Sequence, residues 1–136
     1  MKLPLVVASA LLLPGLTAQA VAHHSYNAFD MAKTVALVGT VKEFHWTNPH
    51  SWILLEVVDA AGTRQAVSIE SNGPGYLVRY GWKRESLRPG DKITARMHPL
   101  RDGSSGGSLV SVVLPDGREL QAEGLPPGHN GNVAGR

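Results

Sequence analysis

The chain has 136 residues, of which 43% are hydrophobic and 18% are charged, and it contains no cysteine. This length suits a single domain, and the lack of cysteine excludes disulfides, zinc ribbons and thiol catalysis. The formal net charge is only +2, and no strong cluster of lysine and arginine is present, so the composition argues against nucleic-acid binding.

Residues 1–22 have the three-part pattern of a secretory signal peptide. A basic start, Met1-Lys2, precedes an apolar run from Leu3 to Leu16, and small residues follow that run. The apolar run is shorter than the roughly 20 residues that a membrane-spanning helix needs. We therefore expect a protein without a stable membrane anchor that is located in the periplasm or secreted after cleavage.

The predicted cleavage sites create an N-terminus that could chelate copper. Cleavage after Ala22 makes His23 the first residue and His24 the second, whereas cleavage after Ala20 places His23 third. Either product brings a free α-amine close to an imidazole. Nitrogen-rich tetragonal sites of this kind suit Cu(II) and Ni(II).

Residues 23–33 are expected to form an N-terminal arm, and a long first strand is predicted after it, over Thr34–Trp46. The alternation of apolar residues shifts near Lys42-Glu43, which predicts a β-bulge. Gly39 in mid-strand indicates a bend or a close backbone approach. The arm contains two aromatic residues that could hold it in place, Tyr26 and Phe29.

The segment from His45 to Trp52 is the candidate functional site, because it contains two tryptophans and two histidines within eight residues. Thr47-Asn48-Pro49-His50 is predicted to be a turn, since Asn before Pro favours turn initiation. Strands are predicted on either side of a second turn that ends at Gly62, and they cover Ser51–Asp59 and Thr63–Glu70.

A short helix should follow the third strand. Asn72 is the predicted N-cap, the helix is predicted over Tyr76–Tyr80, and Gly81 is its predicted stop. Such a short helix must pack on a β core, with Leu77 and Trp82 as its expected anchors. Three further strands are predicted over Lys92–His98, Ser108–Leu114 and Arg118–Gln121, and residues 123–136 are predicted to be a disordered tail.

Three strands, a short helix and then further strands is the element order of an OB-type Greek-key barrel. The predicted fold class is therefore all-β with one short helix, an OB-like barrel of five to six strands over residues 34–122. An open β-sandwich is the alternative.

Several motifs together resemble a family of small exported bacterial proteins that is catalogued as a domain of unknown function. The resemblance runs from about Ala22 to about Leu120 and implies export and a β-barrel-like domain, with no established activity. Members typically keep two histidines directly after an alanine, which favours cleavage after Ala22. The motifs are Ala22-His23-His24-Ser25, Trp46-Thr47-Asn48-Pro49-His50-x-Trp52, Gly81-Trp82, Leu87-x-Pro89-Gly90-Asp91 and Asp102-Gly103-x-x-Gly106-Gly107.

The first functional hypothesis is a non-catalytic binding module that holds a transition metal, with copper as the expected cofactor. Its candidate ligands are the histidines His23, His24, His50 and His98. The second hypothesis is a metal-free periplasmic domain that binds a protein partner. The contact would be made through the corner between the first two predicted strands, at Trp46–Trp52, or through a basic surface from Arg79 to Arg88. The candidate binding surface at the corner comprises Trp46, Asn48, Trp52 and Trp82.

A copper-dependent oxidoreductase is a third hypothesis. No serine lies in a nucleophile motif, and nothing in the sequence places two carboxylates as an acid–base pair. The sequence therefore favours binding over catalysis.

Overall fold

The computed structural model describes residues 26–124. One α-helical turn, α1 (Pro74–Leu77), continues directly into a 3-10 turn over Val78–Tyr80, and another 3-10 turn covers Tyr26–Ala28. The six strands are β1 (Val35–His45), β2 (His50–Val58), β3 (Arg64–Asn72), β4 (Lys92–Pro99), β5 (Gly106–Val113) and β6 (Glu119–Gln121).

Five of the strands close into a barrel. The sheet order is β3-β2-β1-β4-β5-β6, and an additional parallel pairing between β3 and β5 closes the sheet on itself. The other strand pairs are antiparallel, and β6 extends the sheet beyond β5. A mixed five-stranded barrel with a short helix between β3 and β4 is the predicted OB-like fold, so the barrel prediction is confirmed and the open sandwich is not found.

Strand β1 pairs with two neighbouring strands, and it contains a bulge and a mid-strand glycine. Its first half pairs with β4 and its second half with β2. The register with β2 shifts between Val41 and Glu43, at the predicted bulge. A Cβ added at Gly39 would lie 2.6 Å from the carbonyl oxygen of Glu56, so the predicted close backbone approach is also confirmed.

The inward-facing residues of the strands and the residues around α1 form one hydrophobic core. Leu77 and Trp82 are fully buried in it, as predicted for the anchors of the helix. Other fully buried members are Val41, Ile53, Leu55, Ile69, Ala95 and Val112.

The start of the helix differs from the prediction. Asn72 is the last residue of β3 and not an N-cap, and its side-chain amide donates to the carbonyl oxygen of Ala122 at 3.1 Å. Gly73 occupies the N-cap position, without a side-chain hydrogen bond, and Pro74 begins the helix. Gly81 ends the helical segment in the left-handed conformation, with φ of 88°, as predicted.

The N-terminal arm is described from Tyr26 onward. Phe29 is buried and pairs with Leu100 through an isolated antiparallel bridge, so the prediction that Phe29 ties down the arm is confirmed. The predicted signal peptide, residues 23–25 of the arm and residues 125–136 of the predicted tail lie outside the described residues. Within residues 26–124, no helix is long and apolar enough to cross a bilayer.

Candidate functional site

The corner between β1 and β2 contains the motif that the sequence singles out. Strand β1 ends at His45 and β2 begins at His50, so four residues form the connection. The Thr47 hydroxyl donates to the carbonyl oxygen of His50 at 2.9 Å, and the Asn48–Pro49 peptide bond is cis. The predicted turn is confirmed.

The corner packs against the start of the helical segment. A Cβ added at Gly73 would lie 2.5 Å from the carbonyl oxygen of Pro49 and 2.9 Å from Oδ1 of Asn48. Only a residue without a side chain leaves room for this contact. The β1–β2 corner and the β3–α1 junction therefore hold each other in place at one end of the barrel.

The three tryptophans have three different environments. Trp46 is half-buried and makes an edge-on contact with Phe44, with 5.8 Å between ring centroids. Trp52 is 37% exposed on the outside of the barrel. Trp82 is buried, and its indole Nε1 donates to the carbonyl oxygen of Gln121 at 2.7 Å. The prediction of Trp82 as part of a binding surface is wrong, because the helix exit folds its ring into the core.

The outward side chains of β2 and β3 form a continuous surface beside the corner, which we call the outer β2–β3 face. Trp52 lies opposite Glu70 in the register, and His50 lies opposite Asn72. In OB folds, the face of strands 2 and 3 and the adjoining loops bind ligands. The face comprises His50, Trp52, Leu54, Ser68, Glu70 and Asn72, and Asn48 is exposed at the corner next to it.

His50 and Glu70 form the polar pair of this face. The Nδ1 atom of His50 is hydrogen-bonded to Oε1 of Glu70. The His50 side chain is 40% exposed, whereas the Glu70 side chain is only 15% exposed. The imidazole therefore stands at the surface with a largely buried carboxylate behind it.

The side chain of His98 is much less exposed than that of His50. It is buried, its Nδ1 lies 2.6 Å from the carbonyl oxygen of Lys33, and its Nε2 lies 3.1 Å from a carboxylate oxygen of Glu123. Both ring nitrogens therefore have partners, and a metal ion could bind His98 only by displacing one of them. The structure does not bring His98 together with His50 in a common cluster.

The remaining candidate ligands, His23 and His24, lie outside the described residues. Within residues 26–124, no three His, Asp or Glu side chains are grouped closely enough to hold a metal ion.

The basic residues around the helix exit are exposed, as expected for a solvated surface. Lys83 and Arg118 line a shallow cavity of about 200 Å³ together with Glu85 and Ser86. Arg118 is already paired with Asp116 at 2.8 Å. The mixed charges of this cavity give no clear preference for an anionic ligand.

Glu70 is the functional residue that sequence reasoning missed. Its position at the end of a predicted strand was recognised, but not its partner. The signal is the hairpin itself, because the turn that ends at Gly62 sets the register of β2 and β3. That register places Glu70 opposite Trp52 and diagonally next to His50.

Comparison with known proteins places the chain in a family without assigning an activity. Searches among curated proteins and among solved structures gave no match. A family model described as "Family of unknown function (DUF6152)" matches residues 11–110, which is well over half of the chain. The protein therefore belongs to this family of unknown function, as the resemblance of its motifs implied.

Proposed function

We propose that this protein is an exported, non-catalytic binding domain that holds copper, or a similar transition metal, through histidine nitrogens. His50 supplies one nitrogen, and the processed N-terminus supplies the others through His23 and His24. The observation that carries this proposal is the exposed imidazole of His50 on the outer β2–β3 face, backed by a carboxylate. Metal-binding histidines usually donate their second ring N–H to such a partner.

The anchoring of the arm sets the distance that a shared site must span. Phe29 pairs with Leu100, Leu100 donates its backbone N–H to the carbonyl oxygen of Gly106, and Gly106 lies beside Ser68 of β3. The anchored arm is thus three strand spacings from β3, or about 15 Å. His50 is on β2, one strand spacing beyond β3, so the path across the strands from the arm to His50 is about 19 Å.

The length of the arm sets a limit on this geometry. His24 precedes Phe29 by five residues, three of which form the 3-10 turn Tyr26–Ala28. A 3-10 turn advances about 2.0 Å per residue, and extended residues cover up to about 3.6 Å each. The backbone therefore reaches at most about 13 Å from Phe29. A shared site therefore requires the arm to extend across β5 and β3 toward β2. The side chains of the histidines must cover the rest of the distance to His50.

His98 has no part in the proposed site. Its ring nitrogens already bind the backbone of Lys33 and the carboxylate of Glu123. A metal ion at His98 would have to replace a hydrogen bond in a buried position, where the unpaired partner is costly.

A copper titration of the processed protein tests the proposal. The sample must begin at His23, as checked by intact mass, and binding is measured by competition with a chelator of known affinity. We expect one Cu(II) per chain and binding at least about tenfold weaker in His50→Ala, which corresponds to about 1.4 kcal/mol of binding free energy. The matched control is His45→Ala, which removes an exposed histidine that also pairs with a carboxylate, Glu43, and should leave the affinity unchanged.

An acetylated sample isolates the contribution of the terminus. Acetylation of the α-amine of His23 removes that nitrogen as a donor without changing the folded domain. We expect acetylation to weaken copper binding as well. Binding that is weak and not stoichiometric in the wild-type protein would contradict the metal proposal. Tight copper binding that is unchanged in His50→Ala would show that only the N-terminus binds the metal, without His50.

The second candidate function is a metal-free interaction domain, and one observation favours it. Trp52 is 37% exposed and lies next to Leu54 on the outer β2–β3 face. An exposed tryptophan is a typical anchor of protein–protein interfaces. Under this alternative, Trp52→Ala would abolish capture of a periplasmic protein partner, whereas His50→Ala without metal would have little effect.

A further inference from the structure

The hydrogen bond between His50 and Glu70 determines which nitrogen of His50 can act as a donor. An ionised carboxylate only accepts hydrogen bonds. Because Glu70 contacts Nδ1, that nitrogen must hold a proton. In the neutral imidazole, the lone pair is then on Nε2. Within residues 26–124, no atom is hydrogen-bonded to Nε2 of His50.

The other two described histidines have different arrangements. His45 uses Nε2 to bind Glu43 at 2.7 Å, and both of these side chains are more than half exposed. His98 uses both nitrogens and is buried. Among the three described histidines, His50 is thus the one whose Nδ1 is hydrogen-bonded to a carboxylate and whose Nε2 has no hydrogen bond within residues 26–124.

The position of Glu70 in the fold stabilises its hydrogen bond with His50. Glu70 is on β3 and His50 is on β2, so the bond joins neighbouring strands whose register is fixed from Val58 back to His50. Its carboxylate is largely buried, which strengthens the hydrogen bond relative to one in water. By contrast, His45 and Glu43 are neighbours on one strand and lie in solvent.

We infer that Glu70 is a positioning residue: it keeps His50 in the Nδ1–H tautomer and aims the Nε2 lone pair outward as the metal-binding atom. The metal part of this inference rests on the proposed function, whereas the tautomer part does not. A carboxylate partner fixes the ring orientation and raises the basicity of a histidine ligand. Loss of such a partner typically costs about 10–100-fold in metal affinity.

Nuclear magnetic resonance of the metal-free protein tests the tautomer directly. Long-range correlations between ring nitrogens and carbon-bound protons distinguish Nδ1–H from Nε2–H. The spectra are recorded above the ordinary imidazole pKa of about 6.5. We expect the Nδ1–H form for His50 in the wild-type protein and a shift toward the Nε2–H form in Glu70→Ala, with His45 unchanged. An Nε2–H form of His50 in the wild-type protein would overturn the inference, whatever the variant does.

Copper affinity tests the second half of the inference. Glu70→Ala removes the acceptor of the Nδ1 proton, and we expect binding about 10–100-fold weaker than in the wild-type protein. The matched control, Glu43→Ala, should bind as the wild type does. Unchanged affinity in Glu70→Ala would overturn the positioning role. If the wild-type protein bound no copper, the proposed function would fail, and the tautomer measurement would still decide whether Glu70 sets the state of His50.

Discussion

At the residue scale, aromatic side chains fasten the segment after β6 to the helical region. The indole N–H of Trp82 donates to Gln121, and the hydroxyl of Tyr80 donates to the carbonyl oxygen of Gly124 at 2.5 Å. The hydroxyl of Tyr76 lies 2.7 Å from that of Tyr80. These bonds satisfy polar groups at the edge of the core, where an unpaired one would be costly.

Tyr80 should ionise late in an alkaline titration. Burial, and next the hydrogen bond with Tyr76, raises the pKa of Tyr80 from 10.0 to about 12. A raised pKa in the folded state stabilises the fold below pH 10, and this contribution is lost as the pH rises through 12. Absorbance at 295 nm should show one of the three tyrosines ionising near pH 12, and Tyr80→Phe should remove that step. Ionisation of all three near pH 10, with the circular dichroism of the folded protein intact, would contradict this prediction.

The role of a residue could be predicted from the sequence only where its immediate neighbours in the chain determine that role. Gly81 and Gly62 were identified because their turns need positive φ, and both have it. For Trp82, two alternatives were predicted, a buried anchor of the helix and a member of an exposed binding surface. Both were open because a tryptophan next to a helix stop fits either environment. Asn72 was misassigned because its partner, Ala122, is 50 residues away along the chain.

At the scale of elements, the corner and the helical segment form one unit through Gly73. Gly73→Ala would push a methyl group against Pro49 and Asn48, although φ of −69° is itself allowed for alanine. We expect a loss of about 1–3 kcal/mol in the free energy of unfolding, measured by urea denaturation.

Gly75 provides the matched control for this prediction. It lies two residues further on, and a Cβ there would meet nothing within 4 Å. Gly75→Ala should therefore stabilise the protein by about 0.4–1 kcal/mol, because alanine restricts the unfolded chain. Equal effects of the two substitutions would show that the contact between the corner and the helix is unimportant.

Strands β4, β5 and β6 are joined by a polar network around Glu119. Its carboxylate accepts hydrogen bonds from Ser111 at 2.7 Å and from Arg96 at 2.5 Å. The bond from Ser111 and the charge of Arg96 lower the pKa of Glu119 below 4.5. A lowered pKa stabilises the folded state above the unfolded value, and the contribution is lost as the pH falls below 4.5.

Replacing Glu119 should reduce the acid sensitivity of the protein. We expect Glu119→Gln to be less stable than the wild type at pH 7 and to lose less of its stability between pH 7 and pH 3, as followed by urea denaturation. The control is Asp116→Asn, which removes an exposed ion pair with Arg118 and should change the stability less at pH 7. Parallel pH profiles for the wild type and Glu119→Gln would contradict this account.

At the scale of the whole molecule, the fold was largely predictable, whereas the site was predictable only in part. Six strands and one short helix were predicted in the observed order. The prediction came from the alternation of apolar residues along the strands, from the shift that marks the bulge and from the glycine-rich turns. The closure between β3 and β5 could be inferred only by analogy with OB barrels, since it depends on close backbone packing of Gly106 against Ser68. Likewise, the motif located the corner, but the pairing of His50 with Glu70 follows from the register of the neighbouring strands β2 and β3.

The outer β2–β3 face presents His50, and the arm that starts near the predicted cleavage site is anchored at Leu100, directly after β4. The central claim is that both contribute nitrogens to one copper ion. A measurement of the nitrogens that coordinate Cu(II) tests this shared site more directly than a measurement of affinity.

Pulsed electron paramagnetic resonance of the protein that begins at His23, loaded with one Cu(II), is that measurement. Electron spin-echo modulation detects the remote nitrogen of each coordinated imidazole. We predict that His50→Ala removes one such contribution from a tetragonal, nitrogen-rich signal and that His45→Ala leaves the spectrum unchanged. A spectrum that is identical in the wild type and His50→Ala would contradict the shared site.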